Sequence, residues 1–274
     1  MSQSPGPRTL RLRRGVPVLA RSSRQIQVGV DPDRRVLVPR SPAAERWLDE
    51  LAHGAAEPDD PVLQPLVSRL VSSGLVVVEP EQAHRARARD EARTRLLGPP
   101  GWCSELVRLL AEHGLTHVAT ADEPLDHPPD LTVLLTVGEP SRQLVDELTW
   151  GGDPLLLAAA VDSRVRLGPF VLPGSTACLR CLDAHLDAAD PARAVVPEAT
   201  LPPPTRPGPV ELSDLLLAHL LLGVVAEVAA WAEGRLPRTC SATTWLDEEL
   251  VEEHREWRRH PRCGCTWEDL LLPG

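Results

Sequence analysis

Two short cysteine clusters, Cys178-Leu-Arg-Cys181 and Cys263-Gly-Cys265, set the strongest limit on what this chain can fold into. Each is a local claw able to grip one ion from one side, and together they supply the four thiolates of a tetrahedral Zn²⁺ site. Such a site ties residue 181 to residue 263, so the segments between must return to the same place. Four sulfurs fill the tetrahedron and leave no position for water or substrate, which makes the expected role of Zn²⁺ structural. A thioredoxin-type redox pair and two unrelated loops are the competing readings of the same residues. His260 stands directly before the second claw as a further potential ligand.

The 274 residues hold six cysteines, and the N-terminus, rich in Ser, Pro and Arg, carries no apolar signal region. Paired cysteines without a secretion signal point to a reducing, cytoplasmic setting. Leu215–Trp231 is the most apolar stretch; it contains His219 and Glu227 and reads as a buried helix, with no membrane partner. The net charge of −10 argues against nucleic acid. Residues 1–40 run the other way, with nine arginines against Asp31 and Asp33. That basic segment suits an acidic partner; solvated arginines on an exposed sheet explain it equally well.

Alternation at Leu10, Leu12, Val16, Val18, Ile26, Val28, Val36 and Val38 predicts three short antiparallel strands over residues 7–40. Ser41-Pro42 predicts a helix start, with Ala44, Trp47, Leu48 and Leu51 on one face. A second helix is expected from Pro61 to Ser73. The charged, alanine-rich residues 81–95 read as a linker helix, dividing the chain into 1–80 and 96–274. Beyond it, Leu96-Leu-Gly98-Pro-Pro-Gly101 followed by an apolar helix opens a nucleotide-binding α/β unit. The runs Leu131–Val137 and Pro154–Val161 suit a parallel sheet covered on both faces. Residues 243–257 have helix-favouring propensities, but their place before the second claw suits a hairpin, which is the reading preferred. The fold class is α/β: a winged-helix element of three strands plus helices, then a degenerate Rossmann-like domain with a structural zinc site.

Two resemblances follow from these residues. The stretches Arg14-Gly-Val-Pro-Val18, Gln25–Pro32 and Arg35-Val-Leu-Val38 resemble the PqqD-type element that recognises precursor leader peptides. That resemblance implies a leader added as an extra strand at Arg34, Arg35, Val36, Leu37, Val38 and Arg40, resting on the helix bearing Leu66, Arg69 and Leu70. Glu57-Pro-Asp-Asp-Pro61 takes the place of the family's middle helix. The run Gly168–Cys181 with His260–Cys265 resembles the ThiF-like, ubiquitin-activating-enzyme-like fold, and more narrowly the ThiF-like partner of azole-forming cyclodehydratases. It implies a YcaO-type ATP-dependent partner that converts Cys, Ser or Thr to azolines; a homodimer is an allowed assembly.

Members of the wider family adenylate a carboxylate, using a glycine loop and acidic residues for Mg²⁺. This chain has Pro100 and Cys103 where glycines are expected, and Leu135-Thr-Val-Gly-Glu139 lacks the expected aspartate. Asp122 is the one candidate for a ribose contact. On these grounds ATP is not expected to bind and no catalytic residue is assigned. Cys103, at a helix start, and Cys240 have no base beside them in the sequence. The resulting expectation is a noncatalytic scaffold that binds an acidic leader and presents the precursor to the cyclodehydratase. The alternative is a diverged ThiF-like adenylyltransferase acting on a carboxylate or a carrier protein. A third reading is an assembly factor that binds through the proline-rich loop Pro197–Pro209.

Overall fold

The computed structural model describes residues 8–121, 123–195 and 212–266. The chain forms two compact units, residues 1–87 and 88–274.

In the first unit, β1 (Thr9–Leu12) pairs antiparallel with both β5 (Ala55–Ala56) and β6 (Val76–Val78). A separate meander joins β2 (Val18–Ala20), β3 (Gln25–Val28) and β4 (Val36–Pro39). Residues 8–40 therefore hold four strands, not the three expected. The meander has three, and β1 leaves it because Arg13–Gly15 turns the chain away, with the Arg13 N–H bonded to the Leu75 carbonyl. Helix α1 (Pro42–Leu51) starts as its sequence requires: the Ser41 hydroxyl accepts from the Ala44 N–H, and proline sits at the first turn. Helix α2 (Gln64–Ser72) begins three residues later than expected, because Asp60 accepts from the Val62 N–H and holds residues 61–63 in a turn. Leu10, Val28, Val38, Leu48, Leu51 and Leu70 close the core of this unit.

Helix α3 (Glu79–Glu91) carries the boundary, and the next strand, β7 (Arg93–Leu97), begins inside the stretch read as linker. Its first residue is fixed by Asp130, which accepts from both the Arg93 N–H and its guanidinium. The second unit is built on a seven-stranded sheet in the order β13-β12-β11-β10-β9-β7-β8. Strands β7, β8 (His117–Thr120), β9 (Leu131–Val137) and β10 (Leu155–Val161) are parallel. The first five residues of β9 and the first six of β10 are buried, as continuous apolar runs under helices on both faces predict. Strands β11 (Arg164–Val171), β12 (Ala242–Leu246) and β13 (Glu252–Glu256) extend the sheet antiparallel, and the last two form the expected hairpin.

Among the described residues, helices α4 (Pro100–Glu112), α5 (Arg142–Trp150), α6 (Leu179–Ala189) and α7 (Asp214–Ala232) belong to this unit. Among the described residues, α7 is the one helix long and apolar enough to cross a membrane. It packs on β10, β11 and α4, and its buried Glu227 accepts from the Arg238 N–H and from the Thr239 N–H and hydroxyl. The single phenylalanine, Phe170, is fully buried, 5.3 Å from the Trp231 ring.

Candidate metal centre and the switch-point crevice

The first claw forms where β11 ends. The Thr176 hydroxyl accepts from the Leu172 N–H, and the Ala177 N–H donates to the Ser241 hydroxyl, which fixes the turn against the neighbouring strand's approach. Cys178 then sits at the N-cap of α6, and the Cys181 N–H bonds back to its carbonyl. The second claw follows β13: the Trp257 N–H closes the hairpin on Ser241, and the Cys263 N–H bonds to the His260 carbonyl. The His260 N–H donates to the Cys181 sulfur at 3.3 Å.

The four Sγ atoms lie within 4.8 Å of one another, and Cys178–Cys181, Cys178–Cys263 and Cys181–Cys265 are 3.8, 3.6 and 3.4 Å apart. Zn–S bonds of about 2.3 Å give a tetrahedron with edges of about 3.8 Å, so the residues fit the ion. The Cys178 thiol donates to Cys181 and, against burial and with the His260 N–H assisting, draws that sulfur down to about 4. The same contact pushes Cys178 far above the thiol range, and burial, together with Cys181 and Cys263, pushes Cys265 up to about 12. Four sulfurs this close cannot all ionise without a cation between them. His260 stays outside the shell: its Nδ1 accepts from the Arg262 N–H and its ring meets His185 edge-on.

A second location lies where the strand order reverses, between β7 and β9, at the carboxyl ends of the parallel strands; open α/β sheets bind ligands there. Gly98 makes the turn at φ +151°, and a Cβ on it would lie 2.5 Å from the Leu135 carbonyl. Pro99 and Pro100 carry no N–H, which leaves Gly101 and Trp102 as the anion donors of the first turn of α4. The sequence reading missed Glu139, which follows β9 by two residues and occupies the place where an aspartate was sought. Glu139 accepts from Arg166 at 2.7 Å and Arg142 at 2.9 Å, and Arg142 reaches Asp183 at 2.8 Å. Burial alone would raise Glu139, yet Arg166 and Arg142 hold it below its ordinary range, and Asp183 is held low in the same way by Arg142. The signal available in the sequence was Glu139 with Arg142, three residues on, directly after an apolar strand.

The remaining candidates separate by burial. Val36, Val38, Leu66 and Leu70 are core residues, Leu37 is half-buried, and Arg34, Arg35, Arg40 and Arg69 are exposed. Strand β4 is an edge of its sheet. The Arg40 N–H bond to the Arg24 carbonyl sets the pairing phase, so the Leu37 N–H and carbonyl face outward. Pro39 offers no donor, and the Arg35 N–H is bonded to the Asp31 carbonyl. Cys103 is buried, which pushes its thiol up, and burial with Glu227 pushes Cys240 up to about 11, so neither is poised as a thiolate nucleophile. Asp122 and the Pro197–Pro209 loop lie outside the described residues. Next to Asp122, Glu123 at the end of β8 is tied to the Thr120 N–H and hydroxyl.

No family model and no curated protein matches the sequence. Solved structures match closely in shape. The heterocyclase TruD superposes with a TM-score of 0.65 at 18% identity, covering 95% of this chain and 43% of its own. E. coli MccB superposes with a TM-score of 0.66 at 11% identity, covering 97% of this chain and 99% of its own. MccB solved with AMPCPP and MccA gives 0.64 at 12% identity, covering 94% and 99%. The chain thus spans less than half the length of TruD and essentially the whole of MccB.

These matches correct two expectations. Absence of ATP was inferred from Pro100 and Cys103 in the loop, but a protein of the same fold, end to end, is solved with an ATP analogue and MccA. The departures in the loop remove backbone donors without excluding nucleotide from the fold, so the expectation that ATP does not bind fails. The expectation of a noncatalytic scaffold rested on it and fails with it. The chain shares the α/β fold of MccB and TruD, with a four-cysteine cluster able to hold a metal ion built into it.

Proposed function

We propose that this chain is an ATP-dependent adenylyltransferase that activates a carboxylate of a ribosomally made peptide. The observation that carries this reading is the placement of Glu139, Arg142 and Arg166 at the carboxyl end of β9, beside the point where the strand order reverses. The match to MccB, called the Microcin C7 biosynthetic enzyme and solved with N-formylated MccA, supports a peptide as the second substrate. In the reaction a carboxylate oxygen attacks the α-phosphorus of ATP, the bond to the bridging oxygen breaks, and pyrophosphate leaves. Two prolines have removed backbone donors from the loop, so neutralising the phosphates falls to arginine side chains. Glu139, both of whose oxygens accept from Arg166 or Arg142, would hold these two guanidinium groups at the end of β9. The four cysteines would hold Zn²⁺ as a structural ion, in a cytoplasmic setting that keeps them reduced.

The first unit serves in this reading as a winged-helix-like peptide holder. An acidic leader pairs with the outward backbone of Leu37 on β4, between the exposed Arg34, Arg35, Arg40 and Arg69. A second reading, supported by the shape match to the heterocyclase TruD, has the chain work with a separate YcaO-type partner.

The test is pyrophosphate exchange into ATP by the purified chain with candidate peptides from neighbouring genes. Peptide-dependent exchange that drops about 100-fold or more in Glu139→Gln is expected. A chain that neither binds ATP in calorimetry nor exchanges pyrophosphate with any of these peptides would overturn the reading.

A further inference from the structure

The four-cysteine centre has two unlike sides. Cys181 and Cys263 are buried, and Cys181 is backed by the His260 N–H. Cys178 and Cys265 are half-exposed and stand, with an edge of Cys263, in the wall of a hollow of about 900 Å³. Its other walls are the end of α5 (Val145, Thr149, Trp150), the Gly151-Gly152 turn and the outer face of α6 at Ala184. Trp150 is 91% exposed at the rim, so it does not cover the opening. Arg180 and Arg262 also line the hollow; Arg180 is paired with Asp146, while Arg262 is exposed and makes no ion pair among the described residues.

A zinc ion held by four thiolates has a full shell, and it leaves by stepwise substitution: an incoming donor binds the metal as one thiolate departs. That path needs room for the donor beside the leaving sulfur and a way for the freed thiolate to reach a proton. The hollow provides both at Cys178 and Cys265, while burial denies both at Cys181. Asp146 shares the wall and neutralises Arg180, which leaves the Arg262 guanidinium to favour anionic donors. We propose that the centre is an exchangeable metal site, loaded and emptied through this hollow by anionic sulfur or aminocarboxylate donors, with Cys178 and Cys265 the first sulfurs to leave. In each step one Zn–S bond breaks, one bond to the donor forms and the released thiolate takes a proton from solvent; no electrons are transferred. The proposal rests on the reading that the four sulfurs hold zinc.

Metal content by mass spectrometry comes first: about one zinc per chain is expected, and none in Cys181→Ser. A chain purified from zinc-replete cells without the ion would remove the reading beneath the proposal, and the proposal with it. Zinc capture by EDTA is then followed with a coloured indicator over a range of EDTA concentrations. Direct attack through the hollow gives a rate that rises in proportion to EDTA, and Ala184→Phe, which fills the hollow, slows it about 10-fold with zinc content unchanged. Arg262→Glu, at an exposed position that does not depend on refilling the core, slows capture about three-fold at low salt and not at high salt. A rate independent of EDTA and equal to that of unfolding followed by tryptophan fluorescence would overturn the proposal. Capture unaltered by both substitutions would overturn it equally.

Discussion

Gly98 has no substitute. Its φ of +151° strains any L side chain, and a Cβ would meet the Leu135 carbonyl oxygen at 2.5 Å and the Leu135 Cβ at 2.6 Å. Gly98→Ala should lose about 2–4 kcal/mol, from backbone strain and overpacking together, read as a fall in the urea midpoint with little change in slope. The ion-pair network at Glu139 makes a second prediction. Folded-state values of Glu139 and Asp183 lie below the ordinary 4.5 and 3.8. Depressed carboxylates contribute stability that is complete above about pH 5 and is lost as pH falls through the folded values. The urea midpoint of the native chain should therefore drop on acidification below pH 5. Arg142→Met should lose about 3 kcal/mol at neutral pH and show a shallower acid dependence. The four cysteines were legible because two claws complete one ligand count, which is a local signal. Glu139 was not, because its partner Arg166 comes from β11 and the Asp183 that anchors its other partner, Arg142, comes from α6, and only the folded sheet brings them together.

At the scale of the element, α1 was legible from Ser41-Pro42 and the β12–β13 hairpin from its place before a claw that has to reach α6. Strand β7 was hidden because Arg93-Thr-Arg follows an arginine-rich helix with the same composition, and β5 because two alanines carry no alternation. The claws tie particular elements together: the N-cap of α6 is itself a ligand, and the other pair follows directly on β13. Chelation should therefore loosen these elements first. Hydrogen exchange of the chelated protein is expected to show faster exchange at residues 178–183 and 257–265, with β9 and β10 still protected. Uniform loss across the sheet would mean that the ion holds the whole unit. The two edge strands differ in kind. The phase set by the Trp257 N–H turns the backbone groups of Glu252, His254 and Glu256 outward on β13, a ladder unpaired among the described residues and carried by charged side chains. On β4 the outward edge offers the Leu37 pair and then a proline. Charge guards the first edge, while the shortness of the second limits how much strand it can accept.

Taken whole, the molecule is two units with separate cores, one around Leu48 and Leu70 and the other around the parallel sheet. The second unit contains every cysteine and the whole seven-stranded sheet. Residues 88–274 expressed alone are expected to keep about one zinc per chain and a single cooperative melt; a metal-free or molten product would show that the first unit is needed to complete the second. Parallel strands were legible at this scale as unbroken apolar runs, but the sheet order was not, since it depends on pairings between strands distant in sequence. The metal centre also bears on the order in which the chain is finished. Residues 182–262, including α7, β12 and β13, lie between its two halves. A cross-link closing a loop of that length removes about 4.5 kcal/mol of freedom from the unfolded chain. During synthesis the first claw offers only two sulfurs until residue 265 has been made and the hairpin has paired. Metal capture is then the last step of assembly and certifies it: a chain that stalls or is cut before the second claw carries two idle thiols and cannot retain the ion.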